Sequence, residues 1–359
     1  MGPKKAPDLY QELAARHGWP ESKYLPLILK KAVTPEQAKI MLQFTATSEE
    51  IAEKLGMDKE TVDNHLQELF KKGLAFPTKK GWRLGRIVDS LHDLTLSNTK
   101  YWDSYGGTEY ADLWRAFERL EWWPAFVENA KSMDSPVMRI LPAWEAIKDN
   151  PEHLLAEDIR EIYKAAESIV VIPCPCRREN YDRKCSSPDE MCIALNGSAE
   201  YNLRRGVGKK LTVEEALALE KEVRKHNLIT QVPNNTVTNM IICHCHACCC
   251  ITFLAFEQCG SIYDGFFAKS RYLATVVDPE RCTGCQICFE ACQFEAMEMK
   301  KYPGMIKWKA YVNPDKCMGC GNCVVKCPKE GTVILEVVRP PEHIPQGAVD
   351  VYAYGHVKK

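Results

Sequence analysis

Eight cysteines near the C-terminus repeat one spacing pattern twice. The first motif is Cys282-x2-Cys285-x2-Cys288-x3-Cys292, and the second is Cys317-x2-Cys320-x2-Cys323-x3-Cys327, followed by Pro328. Three thiolates on one short loop can bind three iron atoms of a cubane, and the fourth cysteine of each motif binds the other cluster. The spacing therefore predicts two [4Fe-4S] clusters, with ligands Cys282, Cys285, Cys288 and Cys327 for cluster 1 and Cys317, Cys320, Cys323 and Cys292 for cluster 2.

Structural zinc is the alternative for these motifs, but zinc binds four ligands and does not need a third and a fourth evenly spaced cysteine in each motif. The segment 276–337 resembles the bacterial two-cluster ferredoxins. This resemblance implies a small pseudo-symmetric domain that passes single electrons. The segment departs from the ferredoxin pattern at Gln293, where the first motif usually has proline. This departure predicts a less rigid loop around intact ligands.

Ten further cysteines precede these motifs. They are Cys174, Cys176, Cys185, Cys192, Cys243, Cys245, Cys248, Cys249, Cys250 and Cys259. Ten thiols can serve two four-ligand sites with two left over. Side chains of adjacent residues point in different directions, so the run 243–250 is expected to supply two sites or to divide between ligands and packing.

Three chemistries remain open for this middle region. The first is one or two more [4Fe-4S] clusters, for which all of these cysteines except Cys259 are candidate ligands. The second is structural zinc, held by four cysteines or by three and a histidine. The third is free or redox-active thiols at Cys248 to Cys250. His244 and His246 either bind a cluster, as histidines do in Rieske centres, or donate hydrogen bonds to one.

Two arginines, Arg177 and Arg178, directly follow Cys176. A thiolate-ligated cluster is an anion, so neighbouring guanidinium groups would stabilise it and could steer an acidic partner; ordinary solvated charge is the alternative. From residue 174 onward the chain resembles a family of multi-cysteine ferredoxin-like iron-sulfur proteins of anaerobes. The shared features are the C-x-C-R at 174–177, the later pair Cys185 and Cys192, and the I-C-x-C run at 242–250. The resemblance implies electron transfer, although His246 stands where another cysteine is expected.

Length and composition limit the class of protein. The chain has 359 residues and a formal net charge of −1, which suits two or three domains and gives no sign of disorder or of a nucleic-acid-binding composition. Residues 1–7 lead into a polar stretch, so no signal peptide is expected. The most apolar window, 248–256, is far shorter than the ~20 residues of a spanning helix. Eighteen cysteines without an export signal favour metal binding over disulfides in a reducing, anoxic cytoplasm.

The sequence predicts an α+β multidomain protein with a mostly helical N-terminal half. The expected units are a winged-helix-like domain (1–90), a helical tryptophan-rich segment (91–168), a cysteine-rich middle domain (169–275), the two-cluster ferredoxin domain (276–339) and a tail (340–359). In the middle domain, 169–172 reads as a buried strand. A helix is expected from the capping box at Thr212 and Glu215 to about His226.

Residues 34–85 resemble the winged helix-turn-helix domains of small prokaryotic regulators. Capping boxes at Thr34 with Gln37 and at Thr47 with Glu50 begin two helices, a third runs from 58 to 73, and strands at 74–76 and 82–84 flank a turn. Between residues 45 and 90 there are eight Lys or Arg and eight Asp or Glu. Binding to duplex DNA needs clustered cations, so a docking role is favoured over DNA binding.

No nucleotide or flavin site is evident. Gly206-Val207-Gly208 lacks the third glycine of a dinucleotide-binding fingerprint, and there is no P-loop. Reducing power is therefore expected from another protein, such as a flavoprotein or reductase, with no catalytic residue assigned. The expected function is a cytoplasmic iron-sulfur electron-transfer protein or subunit of an anaerobe. The alternatives are a redox-sensing winged-helix regulator and a reductase with catalysis at the middle cluster.

Overall fold

The computed structural model describes residues 8–85, 87–131, 135–183, 185–237, 240–259 and 267–347. Within these ranges the chain mixes helices and strands, as expected for an α+β protein. The α-helices are α1 (Leu9–Arg16), α2 (Leu25–Ala32), α3 (Pro35–Met41), α4 (Ser48–Leu55), α5 (Lys59–Lys72), α6 (Val88–Leu96), α7 (Trp102–Tyr105), α8 (Thr108–Phe117), α9 (Trp123–Lys131), α10 (Trp144–Ile147), α11 (Ile159–Lys164), α12 (Pro175–Glu179), α13 (Asn196–Arg204), α14 (Val213–Lys225), α15 (Ile251–Cys259), α16 (Ile287–Glu290) and α17 (Asn322–Lys326). A π-helical segment, Glu118–Trp122, joins α8 to α9.

The strands are β1 (Phe76–Thr78), β2 (Gly81–Arg83), β3 (Met138–Ile140), β4 (Ile169–Pro173), β5 (Glu190–Leu195), β6 (Lys209–Lys210), β7 (Ile229–Pro233), β8 (Ile241–Cys245), β9 (Phe267–Ala268), β10 (Tyr272–Val276), β11 (Met297–Lys300), β12 (Lys309–Val312) and β13 (Val333–Val337). Seven of them form one sheet in the order β6-β4-β5-β8-β7-β3-β9. All neighbours in it pair antiparallel except β3 and β9. All five residues of β4 are buried, as the apolar run predicts.

Helices α3, α4 and α5 begin at the predicted capping residues, whereas α1 and α2 were not predicted. The Thr34 and Thr47 hydroxyls accept bonds from backbone N–H groups in reciprocal capping boxes, and the Asp58 carboxylate caps α5. Helix α5 ends at Gly73, whose left-handed conformation suits glycine. Strands β1 and β2 form an antiparallel hairpin after it. Each element lies within two residues of its predicted position, while the assignment to a winged helix stays a prediction.

The tryptophan-rich segment is largely helical and forms part of the core. Trp114 is fully buried and packs edge-on against Tyr110 and Phe117, and Trp122 and Trp123 are also buried. This packing agrees with a core role for these aromatic rings. The segment is not entirely helical, because 138–140 form β3 between the prolines at 136 and 142, which disfavour a helix there.

Residues 272–337 build a small, internally repeated unit. Strand β10 pairs with β13, and β11 pairs with β12, both antiparallel. Helix α16 starts inside the first cysteine motif and α17 starts inside the second. This unit contacts the rest of the chain through a bond from Ala143 N–H to Cys320 O and through a bond from the Tyr272 hydroxyl to the buried Glu157 Oε2 at 3.2 Å. No helix within the described residues is long and apolar enough to cross a lipid bilayer.

Candidate iron-sulfur centres

Two cavities lie inside the repeated unit, and cysteines of both motifs line each of them. Cavity 1 contains about 360 Å³ of space outside protein atoms, partly open to solvent, and cavity 2 about 330 Å³. The cysteines lining cavity 1 are Cys282, Cys285, Cys288 and Cys327, and those lining cavity 2 are Cys292, Cys317, Cys320 and Cys323. The structure thus brings together the two sets of four that the motif spacing predicts, with the fourth cysteine of each motif at the other motif's cavity.

A glycine at the same position of each motif lets the chain turn around its cavity. Gly284 and Gly319 both have positive φ angles, +75° and +70°. A Cβ at Gly284 would lie 2.5 Å from the carbonyl oxygen of Trp308, and one at Gly319 would lie 2.3 Å from that of Tyr272. Neither position accommodates a larger residue, because backbone atoms cannot move aside as a flexible side chain can.

The spacing of the motif thiols distinguishes a cluster from a single zinc ion. Thiolates that bind one zinc at about 2.3 Å lie about 3.8 Å apart in a tetrahedral site. Among the described residues, no three of the eight motif thiols lie within 4.8 Å of one another. The motif cysteines are therefore too far apart for one zinc and leave room for a larger inorganic group.

The two cavities differ in depth. Cys285 at cavity 1 is exposed, whereas Cys317, Cys320 and Cys323 at cavity 2 are buried. Burial raises the pKa of Cys320 to about 12, so this thiol needs a cation or cluster to become a thiolate. Backbone N–H groups point at sulfur in both cavities, from Ala310 to Cys282 and from Ala296 to Cys292, each at 3.4 Å. Such bonds stabilise a reduced cluster.

The middle cysteines with described side chains form two groups, on strands β5 and β8 and in the segments that follow β4 and β8. In the first, which we call the six-thiol ring, each thiol interacts with the next and the last with the first. Its order is Cys174, Cys176, Cys250, Cys245, Cys243, Cys192. These residues come from the β4–α12 junction, from β5 and β8, and from the residue before α15.

The second group, which we call the three-thiol group, consists of Cys185, Cys248 and Cys249, whose sulfur atoms lie within 4.8 Å of one another. The run 243–250 is therefore divided between two groups, as the different directions of adjacent side chains predict. The side chain of Cys259 lies outside the part of the chain that the structure describes.

Several middle thiols have a lowered pKa and so favour the thiolate that binds iron. Despite partial burial, hydrogen bonding with Cys249, Ser187 and the Arg177 side chain lowers the pKa of Cys185 to about 3. The pKa of Cys250 is lowered well below its ordinary value by interaction with the thiols of Cys176 and Cys245 and by N–H groups of the first turn of α15. Thiolates at such positions are suited to metal binding.

Arg177 lies between the two thiol groups, whereas Arg178 does not. The Arg177 side chain is buried, donates to Pro188 O and His244 O, and interacts with Cys174 of the six-thiol ring and with Cys185 of the three-thiol group. It is therefore not an ordinary solvated charge. Arg178 instead stacks over the Trp102 ring at 5.4 Å.

The two histidines of the run have different roles. His244 is fully buried; its Nδ1 lies 2.7 Å from Met191 O and its Nε2 lies 3.0 Å from Glu220 Oε1. Both ring nitrogens are thus engaged by oxygen atoms, and the interpretation of His244 as a cluster ligand is not supported. His246 Nδ1 lies 3.0 Å from Cys248 Sγ, in agreement with hydrogen bonding to a thiol ligand.

Two amide side chains, one directly after the first motif and one inside the second, attach the repeated unit to the middle region. Gln293 accepts a bond from Ala247 N–H at 2.6 Å and donates to Asn227 O. Asn322 donates to the same carbonyl at 2.9 Å. The loop with Gln293 in place of proline is therefore held by hydrogen bonds to the run that carries the middle cysteines.

A buried polar chain continues from Asn322 to the large sheet. Asn322 Oδ1 accepts from Arg224, and Arg224 also lies 3.7 Å from Glu220, which contacts His244. This buried polar chain of side chains was not predicted from the sequence. The available signal was the placement of Glu220 and Arg224, four residues apart, on the same face of α14 as the buried Ala216 and Val223.

Comparison with known proteins identifies the C-terminal unit. A family model described as a 4Fe-4S dicluster domain matches residues 274–328, which include all eight motif cysteines. No curated protein and no solved structure matches the chain. The match supports [4Fe-4S] cluster binding and, in general terms, a role in iron-sulfur electron transfer.

Proposed function

We propose that the chain is an iron-sulfur electron-transfer protein or subunit that relays single low-potential electrons between a donor and a partner oxidoreductase. The observation that carries the proposal is the pair of cavities, each lined by three cysteines of one motif and the fourth of the other. A cluster with four thiolate ligands has no iron site open to substrate, so it exchanges electrons and does no bond chemistry. In the proposed protein, cluster 1 occupies cavity 1 and cluster 2 occupies cavity 2.

The exposure of the cysteines suggests an order for the electron path. A partner approaches cluster 1 most closely, because Cys285 is exposed while the cavity 2 thiols from the second motif are buried. Cluster 2 is near the middle region, since Asn322 accepts a bond from Arg224 and so joins the polar chain that reaches His244. Electrons would pass from the partner to cluster 1, then to cluster 2, then to the middle site.

The middle thiols would hold one or two further clusters. The six-thiol ring has enough thiols for one four-ligand cluster, and Arg177 offers positive charge beside it. The three-thiol group is compact enough for a single zinc with a fourth ligand from elsewhere, or for a cluster with one iron that lacks a cysteine. The second arrangement would favour the reductase alternative, because an iron without a thiolate can bind substrate.

Metal analysis tests the cofactor content. Protein purified without oxygen is expected to contain about eight irons and eight sulfides per chain from clusters 1 and 2, and about twelve or sixteen if the middle thiols hold clusters as well. Zinc near one per chain together with eight irons would assign zinc to the middle site. Protein without iron or sulfide would contradict the proposal.

Paired serine variants test the exchange of ligands between motifs. Cys285→Ser and Cys327→Ser are expected to remove the same low-temperature electron paramagnetic resonance (EPR) signal, because both residues line cavity 1. Cys292→Ser and Cys320→Ser are expected to remove the other signal. If Cys285→Ser matched Cys292→Ser instead, each motif would bind its own cluster and the crossed assignment would be wrong.

The second candidate function is a redox-sensing DNA-binding regulator, suggested by α3 to α5 and the β1–β2 hairpin. Against it, the hairpin contacts the chain itself, because Phe76 stacks on Tyr201 of α13 with ring centroids 4.7 Å apart. Duplex DNA titrated at low salt, with oxidised and reduced protein, separates the two functions. Binding that weakens steeply with salt would favour the regulator, and absence of binding would remove it.

A further inference from the structure

Three buried side chains outside the cysteine sites meet at one point where three elements pack together. His92 comes from α6, Glu118 opens the π-helical segment, and Glu179 ends α12. All three are fully buried. One imidazole nitrogen and one oxygen from each carboxylate lie within 4.8 Å of one another.

The distances match the spacing of ligands around one metal ion. His92 Nε2 lies 3.1 Å from Glu179 Oε2 and 3.4 Å from Glu118 Oε1. Atoms that each lie about 2.1 Å from one metal are about 3.0 Å apart in an octahedron and about 3.4 Å apart in a tetrahedron. The two distances from His92 therefore suit one shared ion, and the three ligand atoms are close enough together to reach it.

The orientation of His92 favours metal binding. Its Nδ1 lies 2.9 Å from Asp93 Oδ1, a carboxylate oxygen that accepts a hydrogen bond. Despite burial, hydrogen bonds to Asp93 and Glu179 raise the pKa of His92, so a cation would displace the Nε2 proton. The imidazole would then keep its proton on Nδ1 and direct the lone pair of Nε2 at the two carboxylates. A carboxylate that holds a histidine in this way is the common partner of a metal-binding imidazole.

Carboxyl oxygens of the site also lack hydrogen-bond partners. Neither oxygen of the fully buried Glu118 has a hydrogen-bond partner, and Glu179 Oε1 has none either. In the described part of the chain, no lysine or arginine forms an ion pair with these two carboxylates. Burial and the charge of Glu179 raise the pKa of Glu118 well above its ordinary range, so a divalent cation would replace a proton here and bind oxygens that the protein leaves without partners.

We propose that His92, Glu118 and Glu179 bind one first-row divalent cation of the Mn²⁺, Fe²⁺ or Zn²⁺ type. One imidazole with two carboxylates combines ligands preferred by hard and by intermediate cations, and none of the soft thiolates that select copper(I). The π-helical turn that begins at Glu118 is a local irregularity often found at functional sites. Trp114 and Trp122, with ring centroids 5.2 and 6.2 Å from that of His92, form apolar walls.

The site lies close to the middle cysteines. Glu179 is three residues after Cys176 on α12, and residues three apart on a helix have Cβ atoms about 5–6 Å apart. A cation bound by Glu179 would thus be a near neighbour of the six-thiol ring, where its charge favours the reduced state of a cluster.

Manganese(II) is the probe that tests the site, because it is a hard cation that binds thiolates weakly and gives an EPR signal when free in solution. Intact protein with its clusters, freed of other cations by a chelator, is expected to bind one Mn²⁺ per chain. Glu118→Gln is expected to weaken this binding at least tenfold. The matched control is Glu109→Gln, which removes an exposed carboxylate of α8 that pairs with Lys31, and it is expected to leave binding unchanged.

Two outcomes would overturn the proposal. If the wild-type chain bound no Mn²⁺ at millimolar concentration, His92 and the two glutamates would be a buried group of side chains stabilised by shared protons alone. If wild type bound Mn²⁺ but Glu118→Gln bound it equally well, the cation would bind elsewhere. The first outcome is read from the wild-type protein, so it does not depend on whether the variant folds.

Discussion

At the scale of single residues, Gln293 shows how a departure from a common motif can be compensated. Sequence reasoning predicts a less rigid loop where glutamine replaces proline. In the structure, the Gln293 side chain bridges Ala247 N–H and Asn227 O, so hydrogen bonds to the middle region replace the rigidity of a proline ring. Gln293, which departs from the ferredoxin pattern, thus also attaches the repeated unit to the middle region.

Replacing Gln293 is therefore expected to destabilise the contact between these two regions. Gln293→Ala removes two hydrogen bonds, at about 0.5–1.5 kcal/mol each, and leaves a partly buried N–H and C=O without these partners. Anoxic denaturant unfolding, followed by visible absorbance of the clusters, is expected to show a loss of about 1–3 kcal/mol. Gln67→Ala, on the exposed face of α5, is the control and is expected to change stability by less than about 0.5 kcal/mol.

His17 makes stability depend on pH. Burial and the charge of Arg16 lower its pKa to about 4, and neither ring nitrogen has a hydrogen-bond partner. The unfolded chain binds a proton below about pH 6.5 while the folded chain does not, so stability is lost as pH falls from about 6.5 towards 4. Between pH 7.5 and 5.5 the wild type is expected to lose about 1.3 kcal/mol through this group.

The His17→Phe variant checks this sign. Phenylalanine fills the same buried position without a group that titrates, so the difference in unfolding free energy between pH 7.5 and 5.5 should shrink by about 1.3 kcal/mol. An equal pH dependence in wild type and variant would show that other groups cause it.

At the scale of elements, the sequence predicts where helices begin and end better than it predicts which elements pack together. The capping boxes at Thr34, Thr47 and Thr212 begin helices at the predicted residues, since a side chain that bonds its own first turn acts locally. The crossing of Cys292 and Cys327 to opposite cavities also matches expectation, because the motif itself carries that rule. The ring order of the middle thiols could not be predicted, because it depends on how β4, β5 and β8 pair across distant segments.

The same limit applies to His92, Glu118 and Glu179. They are 26 and 61 residues apart along the chain and share no spacing pattern, so only the packing of α6, the π-helical segment and α12 brings them together.

Helix α14 carries charge to the interface between the two cysteine regions. Glu220 contacts His244, Arg224 and the Tyr163 hydroxyl, and these neighbours lower the pKa of its carboxyl despite burial, so it is ionised. Glu220→Gln keeps the shape but removes one negative charge. Reduction adds negative charge to a cluster, so the variant is expected to raise the midpoint potential of the nearer cluster by on the order of tens of millivolts.

Glu222→Gln is the matched control for this prediction, because Glu222 is on the same helix and pairs with Lys225 at the surface. Solvent screens an exposed charge, so this variant should shift the potential far less. An EPR-monitored redox titration measures both variants. Equal shifts in the two would mean that the total charge, and not the buried chain from His244 to Asn322, affects the cluster.

At the scale of the whole molecule, α13 joins the N-terminal helices to the sheet that carries the middle cysteines. It directly follows β5, which contains Cys192. Tyr201 of α13 stacks on Phe76, packs edge-on against Phe70 at 5.3 Å, and donates to Ala75 O at 3.1 Å. The N-terminal module therefore contacts the rest of the chain through its hairpin and the end of α5, which supports docking within the chain over a free DNA-binding surface.

Truncating Tyr201 tests whether this contact holds the module in place. Tyr201→Ala removes both ring contacts and the hydrogen bond, and because Tyr201 is only half-buried the cost is expected to be below the about 3–5 kcal/mol of a fully buried aromatic residue. Tyr201→Phe keeps the rings and removes one bond worth about 0.5–1.5 kcal/mol. Hydrogen exchange of peptides covering 59–83 should therefore rise strongly in the first variant and slightly in the second, while iron content stays at the wild-type value because no motif cysteine is near the change.

If Tyr201→Ala left exchange in 59–83 unaltered, the module would be held by its other contacts, such as those of Arg205 with Lys71 O and Leu94 O. If it lost iron instead, α13 would support the middle cysteines more than it supports the N-terminal helices.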